Sequence, residues 1–235
     1  MHSEEFLLFL NNISKQPLRV LRSSFSDSEY IPIDLSENNS DLQNFNTASS
    51  QAWQEYINSY LKKHQKKVAF GGYLEQRNIY KRSTYFNQQN IEEERNIHLG
   101  LDLWIAAGTK IYTPLDATVH SFKNNTNFGD YGPTIILKHR IKGEEFFTLY
   151  GHLSIASTEQ LEVGQAFKAG EDIATLGDAS VNGDYAPHLH FQIIRDLQNN
   201  VGDYPGFCSK KNLDRLKTNC PDPNTLLKLN SGLIL

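Results

Sequence analysis

Between Ile97 and Ile105 an aliphatic residue stands at every second position without a break. Ile97, Leu99, Leu101, Leu103 and Ile105 fall on one parity, and His98, Gly100, Asp102 and Trp104 on the other. A period of two is the signature of a strand with one face in a core. It puts five aliphatics inward and sets His98 and Asp102 together on the opposite face. Downstream the chain keeps to short extended pieces: Ala117–Lys123, Thr134–His139, Glu145–Leu153, Asp172–Leu176 and His188–Ile194, each rich in β-branched or aromatic residues. Turn pairs separate them, among them Asn124-Asn125, Gly132-Pro133, Lys142-Gly143 and Asn182-Gly183. Many short strands with frequent turns imply a mainly β fold (α+β overall), an antiparallel sheet curled into a sandwich or open barrel.

Residues 1–95 read differently. Ser3, Glu4 and Glu5 suit the start of a short amphipathic helix that Asn11-Asn12 ends. The polar, turn-rich stretch 23–50 follows, interrupted by an extended piece from Tyr30 to Leu35. Trp53, Tyr56, Ile57, Tyr60 and Leu61 then trace one apolar stripe of a second helix, which is expected to pack on the sheet. Lys62-Lys63 and Lys66-Lys67 close it, where positive charge suits the helix dipole. Gly71-Gly72 and the polar run from Asn87 to Arg95 lead into the strand-rich part. The expected organisation is an N-terminal helical and irregular extension (1–95), a β domain (96–200) and a C-terminal tail packed on it (201–235). The acidic start and five-residue apolar run do not make a secretory signal, and no stretch approaches the ~20 apolar residues of a membrane span. The expectation is therefore cytoplasmic, or exported if a leader precedes this numbering.

With 23 basic and 27 acidic residues the net charge is −4, so no basic field attracts nucleic acid or an anionic membrane. Cys208 and Cys220 make no disulfide framework and no zinc-finger spacing, and are expected as two free thiols.

Chemistry concentrates in three places. His98 and Asp102 share a strand face, yet an extended strand would hold their Cα atoms ~13 Å apart, too far for one ion. Gly100 between them permits a bend. His188 and His190 share a face of their own strand, ~6.6 Å apart, so that one can ligate an ion while the other enters the same cleft. His152 ends an apolar strand, where a lone histidine is more often structural. Zinc takes imidazole and carboxylate, and a catalytic site uses three protein ligands plus water; His98, Asp102 and His190 supply that number. Water on such an ion is acidified to a pKa of roughly 7 and can attack a carbonyl. His152 and His188 would serve the proton and the oxyanion. No His-Glu-x-x-His motif is present. His2, His64, His120 and His139 have no partner pattern and are expected at the surface.

These motifs are similar, in order and spacing, to those of the lysostaphin-type zinc metallopeptidases. The resemblance rests on His98-Leu99-Gly100-Leu101-Asp102, on Tyr150-Gly151-His152-Leu153-Ser154, on Val163-Gly164-Gln165 with Ala169-Gly170, Ile173 and Leu176-Gly177, and on Pro187-His188-Leu189-His190-Phe191. It implies Zn2+ held by His98, Asp102 and His190, catalytic His152 and His188, a largely antiparallel β fold of barrel-sandwich hybrid type, and endopeptidase activity on a peptide or peptidoglycan-like substrate. Ala186 and Gln192 stand where Gly and Glu are usual, and Asn182-Gly183-Asp184-Tyr185 replaces a small-residue turn. The tail from Asp203 to Asn224 is similar to peptidase-like domains fused elsewhere to kinase-like and aminotransferase domains. The leading expectation is hydrolysis of peptide bonds by a metal-activated water. The alternatives are a non-catalytic metal- or peptide-binding domain of the same fold and an amidase on a small cytoplasmic substrate. A lipoyl- or biotin-like carrier needs a lysine in a tight hairpin, and Asn182-Gly183 has none.

Overall fold

The computed structural model describes residues 3–21, 25–78 and 93–230. His2, the start of the 23–50 stretch and most of the run from Asn87 to Arg95 lie outside them. Its strands are β1 (Tyr30–Pro32), β2 (Val68–Gly71), β3 (Ile97–His98), β4 (Leu101–Trp104), β5 (Lys110–Tyr112) and β6 (Ala117–Asn125), followed by β7 (Gly132–Ile141), β8 (Glu144–Gly151), β9 (Ala166–Phe167), β10 (Asp172–Thr175), β11 (His188–Ile194) and β12 (Phe207–Cys208). Eight of them form one sheet in the order β1-β2-β4-β11-β8-β7-β6-β9. Every pairing in it is antiparallel except β1 with β2. Among the described residues the sheet stays open, with β1 and β9 as its edges, and does not close into a barrel.

Local chemistry explains the pairings. β7 and β8 are joined by Lys142 and Gly143, both at positive φ (53° and 89°). Two such residues make the tight turn whose twist matches a right-handed hairpin. β11 lies centrally between β4 and β8, and all seven of its residues are buried. Leu189 and Phe191 enter the main core with Leu101, Leu103, Ile135 and Tyr150. His188, His190 and Gln192 occupy alternate positions, and so the other face.

Two helices from the N-terminal part lie against the sheet. α1 (Ser3–Asn11) buries Phe6 and Leu10 against Phe146, Ile193 and Leu226. α2 (Ser50–His64) starts at Ser49, whose side chain accepts from Ala52 N at 3.2 Å. Its stripe buries Trp53 and Ile57 in a cluster with Ile31, Ile33, Ala69, Trp104 and Ala186. Removing apolar side chains of this size from water stabilises by roughly 1.5–3 kcal/mol each. At the other end, α3 (Ala156–Glu159), α4 (Leu213–Asn219) and α5 (Asn224–Leu227) are short. Leu216 of α4 packs with Cys208 and Cys220, both buried and unpaired.

Two expectations need correction. The alternating run 97–105 is not one strand: it breaks at Leu99-Gly100, so that Leu99 joins the cluster of Ile97 and Tyr131 while Leu101 and Leu103 enter the main core. His139 is not at the surface; it is fully buried, its Nδ1 on Asp116 O at 3.0 Å, its Nε2 on Thr148 Oγ1 at 2.7 Å, and its ring stacked on Phe146. On β7 its parity places it inside, and the two hydrogen bonds offset the burial of its polar atoms.

Candidate metal centre

The sheet register places four of the five singled-out residues side by side. His190 of β11 pairs with Asp102 of β4 on one side and with Gly151 of β8 on the other. His188 pairs with Trp104 two positions along, and His152 directly follows β8. His98 arrives from β3, which is held by Phe207 and Cys208 of β12 rather than by the main sheet.

The break at Gly100 resolves the spacing problem. It folds His98 back over Asp102, bringing Nε2 to 3.4 Å from Oδ1. The bend is tight enough that a Cβ at Gly100 would lie 2.5 Å from His190 Cε1 and 3.0 Å from Phe191 O. Only a residue without a side chain fits there.

Hydrogen bonds fix which ring atoms face the centre. His98 Nδ1 lies 3.0 Å from Gly72 O, an acceptor only, so Nδ1 carries the proton and Nε2 presents a lone pair. Gln192 Nε2 donates to Pro205 O at 3.1 Å, which orients its amide and leaves Oε1 facing His190 Nε2 at 2.9 Å. His190 therefore donates from Nε2 and turns a lone pair on Nδ1 inward. These two nitrogens stand 2.9 Å apart, and His190 Nδ1 lies 3.3 Å from Asp102 Oδ1. Asp102 Oδ1 is buried and has no hydrogen-bond partner. Three acceptors thus converge with no proton among them, an arrangement that costs energy unless a cation sits between them. A tetrahedral zinc with ligand bonds of ~2.0–2.2 Å would set its ligands ~3.3 Å apart, close to the spacings seen. The donor atoms of His98, Asp102 and His190 all lie within 4.8 Å of one another, and the donor set suits a divalent metal.

His152 and His188 are placed alike. His152 Nδ1 donates to Asn182 O and His188 Nδ1 to Ala186 O, both at 2.8 Å, so each presents an unprotonated Nε2. Their rings are 4.3 Å apart, and Trp104 stacks on His188 at 4.0 Å. His188 Nε2 lies 3.9 Å from Asp102 Oδ1. Burial holds His98 and His188 down to about 4 and His152 well below the usual imidazole range. Burial disfavours the ionised carboxyl of Asp102, yet the facing His98 ring in its protonated form and the fixed charge of the Arg77 guanidinium hold it well below the ordinary range.

Sequence reasoning missed Arg77, whose Nη1 donates to Asp102 Oδ2 at 2.6 Å, and Tyr131, whose hydroxyl lies 3.3 Å from His190 Nε2. Tyr131 was hidden in a turn-rich segment, and Arg77 in a stretch without periodicity. The cleft over the five residues is also walled by Leu35 and Trp53 from the N-terminal part, by Tyr185, and by Tyr204 and Phe207 from the tail.

Residues 96–201 match the model of peptidase family M23. A metalloprotease of Haemophilus influenzae described as uncharacterized is 34% identical over 95 residues, covering 40% of this chain and 18% of that protein. The chain thus spans less than a fifth of the curated relative's length. Among solved structures, the catalytic domain of the antimicrobial peptidase lysostaphin from Staphylococcus simulans is 25% identical, covering 52% of this chain and 80% of that one, with a TM-score of 0.35. A zinc-containing peptidase from Vibrio cholerae is 24% identical, covering 47% of this chain and 34% of that one, with a TM-score of 0.34. Over residues 96–201 the chain is thus similar to the peptidases of family M23.

Proposed function

We propose that this chain is a zinc-dependent metalloendopeptidase, with His98, Asp102 and His190 as its metal ligands and His152 and His188 as its catalytic residues. The observation that carries the reading is the convergence of three proton-free acceptors at the floor of a cleft, with Asp102 Oδ1 buried and unpartnered among them. A bound zinc ion would acidify a water molecule and polarise a carbonyl oxygen there.

The chain's own residues would do the rest. His152 and His188, neutral with Nε2 directed inward, are placed to accept a proton and, once protonated, to donate to a developing oxyanion or a leaving amine. Their backbone anchors hold both rings in register with the ligands. Trp104 stacks on His188 and restricts its rotation. Trp53, Tyr185, Tyr204 and Phe207 give the cleft an apolar wall suited to the backbone and side chains of an extended peptide, and we take a peptide or peptidoglycan-like strand as the substrate class.

Replacing His188 by Ala or His152 by Asn should leave zinc bound while peptide hydrolysis falls ~100-fold or more. Asn is chosen at position 152 because the backbone there has φ of 64°, which Asn tolerates. Asp102→Ala should lose zinc and activity together. Unchanged hydrolysis in both histidine variants would end the catalytic assignment. Zinc binding without hydrolysis of diverse peptides by the wild type would favour a binding domain of the same fold.

A further inference from the structure

Arg77 lies outside the family-matched segment and outside every motif of the site, yet its guanidinium is built into the centre. The side chain is 5% exposed. Nη1 donates to Asp102 Oδ2 at 2.6 Å, and Nε donates to Glu75 Oε2. Glu75 is itself anchored, its Oε1 accepting from Leu35 N at 2.9 Å. The backbone is pinned as well: Arg77 N donates to Asn96 O at 2.9 Å, and Gln76 bridges Ile97. A Cβ placed at Gly72 would come within 2.1 Å of Arg77 Nη2 and 3.0 Å of His98 Nδ1, so the guanidinium packs against the residue that anchors the His98 ring.

We propose, on the strength of the metal reading above, that Arg77 is a positioning residue and built-in counter-cation that withholds Asp102 Oδ2 from the metal. A carboxylate has two oxygens and can offer both to one cation. Here Oδ2 is taken by a fixed guanidinium, and Oδ1 alone faces His98 Nε2 and His190 Nδ1. The arginine also shares the carboxylate's negative charge, which makes Oδ1 a weaker donor. The centre therefore gives up some affinity and keeps a more electrophilic ion with a coordination position open. Gln192 acts in the opposite sense on His190: its Oε1 accepts a hydrogen bond from the ring N–H and strengthens the ligand. The N-terminal segment is thus not only a neighbour of the centre but sets how one of its ligands is presented.

The test uses the full chain with Arg77→Met and Arg77→Lys, read by zinc affinity in chelator competition and by the visible spectrum of the cobalt-substituted protein. With the guanidinium gone, Asp102 can offer both oxygens and an uncompensated buried charge, so zinc should bind about tenfold or more tightly. The cobalt absorption should weaken as the coordination number rises above four. Arg77→Lys, which keeps the charge, should lie nearer the wild type in both. A folded Arg77→Met with wild-type or weaker zinc affinity and an unchanged cobalt spectrum overturns the proposal. If Arg77→Met unfolds without metal but folds with zinc, the ion has replaced the missing counter-charge and the proposal stands. If it folds under neither condition the role is structural and the proposal falls. Asp102→Ala, run in parallel, isolates the metal reading, which fails if that variant binds zinc as the wild type does.

Discussion

Replacing Gly100 by Ala tests the geometry of the centre without removing a polar atom. The added Cβ would lie 2.5 Å from His190 Cε1, 2.6 Å from His190 Nε2 and 3.0 Å from Phe191 O. Carbon atoms pack at ~3.5–4.0 Å, so the overlap with the ring is about 1 Å. The β11 carbonyl is locked in the sheet, and the ring must therefore yield. Metal sites tolerate ligand displacements of only about 0.2 Å. The ring cannot move that far and keep its hydrogen bond to Gln192, so His190 Nδ1 should leave the ligand set. The cost to the fold is modest: overpacking costs about 1–3 kcal/mol, and the lower entropy of the unfolded Ala chain returns ~0.4–1 kcal/mol. The expected result is a folded protein whose zinc affinity has fallen ~100-fold, with hydrolysis falling at least as far. Chelator competition reads the affinity and thermal unfolding in excess chelator reads the fold. Wild-type zinc affinity in a folded Gly100→Ala would show that the bend is not what seats His190.

Gln192→Leu removes the acceptor on His190 Nε2, and should weaken zinc binding ~10–100-fold in the same competition assay; an unchanged affinity would make Gln192 a mere core contact. For His139, burial lowers the folded-state pKa to about 4 from an ordinary value near 6.5. Both states are neutral above pH ~6.5, and below it the unfolded chain takes the proton first, so stability falls by about 3 kcal/mol on the way to pH ~4. His139→Gln should flatten that part of the pH–stability curve, and denaturant titrations of both proteins at pH 7 and 4.5 measure the difference. We further propose that the division at residue 95 is not a division into independent folding units, since β1 and β2 extend the sheet and α2 buries Trp53 against it. A stable 96–235 fragment accumulating in limited proteolysis while residues 1–95 are degraded would refute this.

How far the sequence was legible depended on what kind of signal each residue carried. Periodicity found β11 with its ends correct, because Leu189, Phe191 and Ile193 alternate along it as buried apolar residues, the first two in the main core. It found the α2 stripe for the same reason. Periodicity misread 97–105, where a steric fact, the contact between Gly100 and the His190 ring, overrides an unbroken alternation. The three motifs of the centre carried their chemistry in side-chain type, and the fold brings His98, Asp102 and His190 into contact from strands that are 92 residues apart at the extremes. Arg77 and Tyr131 carried no such signal. Each reaches the centre through backbone pairing, Arg77 by a hydrogen bond to Asn96 O and Tyr131 by accepting from His152 N at 2.9 Å. His139 looked like a surface histidine because its partners, a backbone carbonyl and a threonine, leave no pattern in one dimension.

Three of the four imidazoles of the cleft are tied to main-chain oxygens: His98 to Gly72, His152 to Asn182 and His188 to Ala186. A backbone carbonyl does not depend on side-chain type, so these anchors are set by backbone path, although at Gly72 that path and the adjacent Arg77 guanidinium require glycine. Such a centre is insulated from much of the mutational drift in the loops around it. The turn Asn182-Gly183-Asp184-Tyr185 can present side chains to a substrate while its first carbonyl still orients His152. On the proposed function, specificity and chemistry fall in separable parts of the same loops, and substitutions that alter substrate preference need not disturb the tautomers on which hydrolysis would depend.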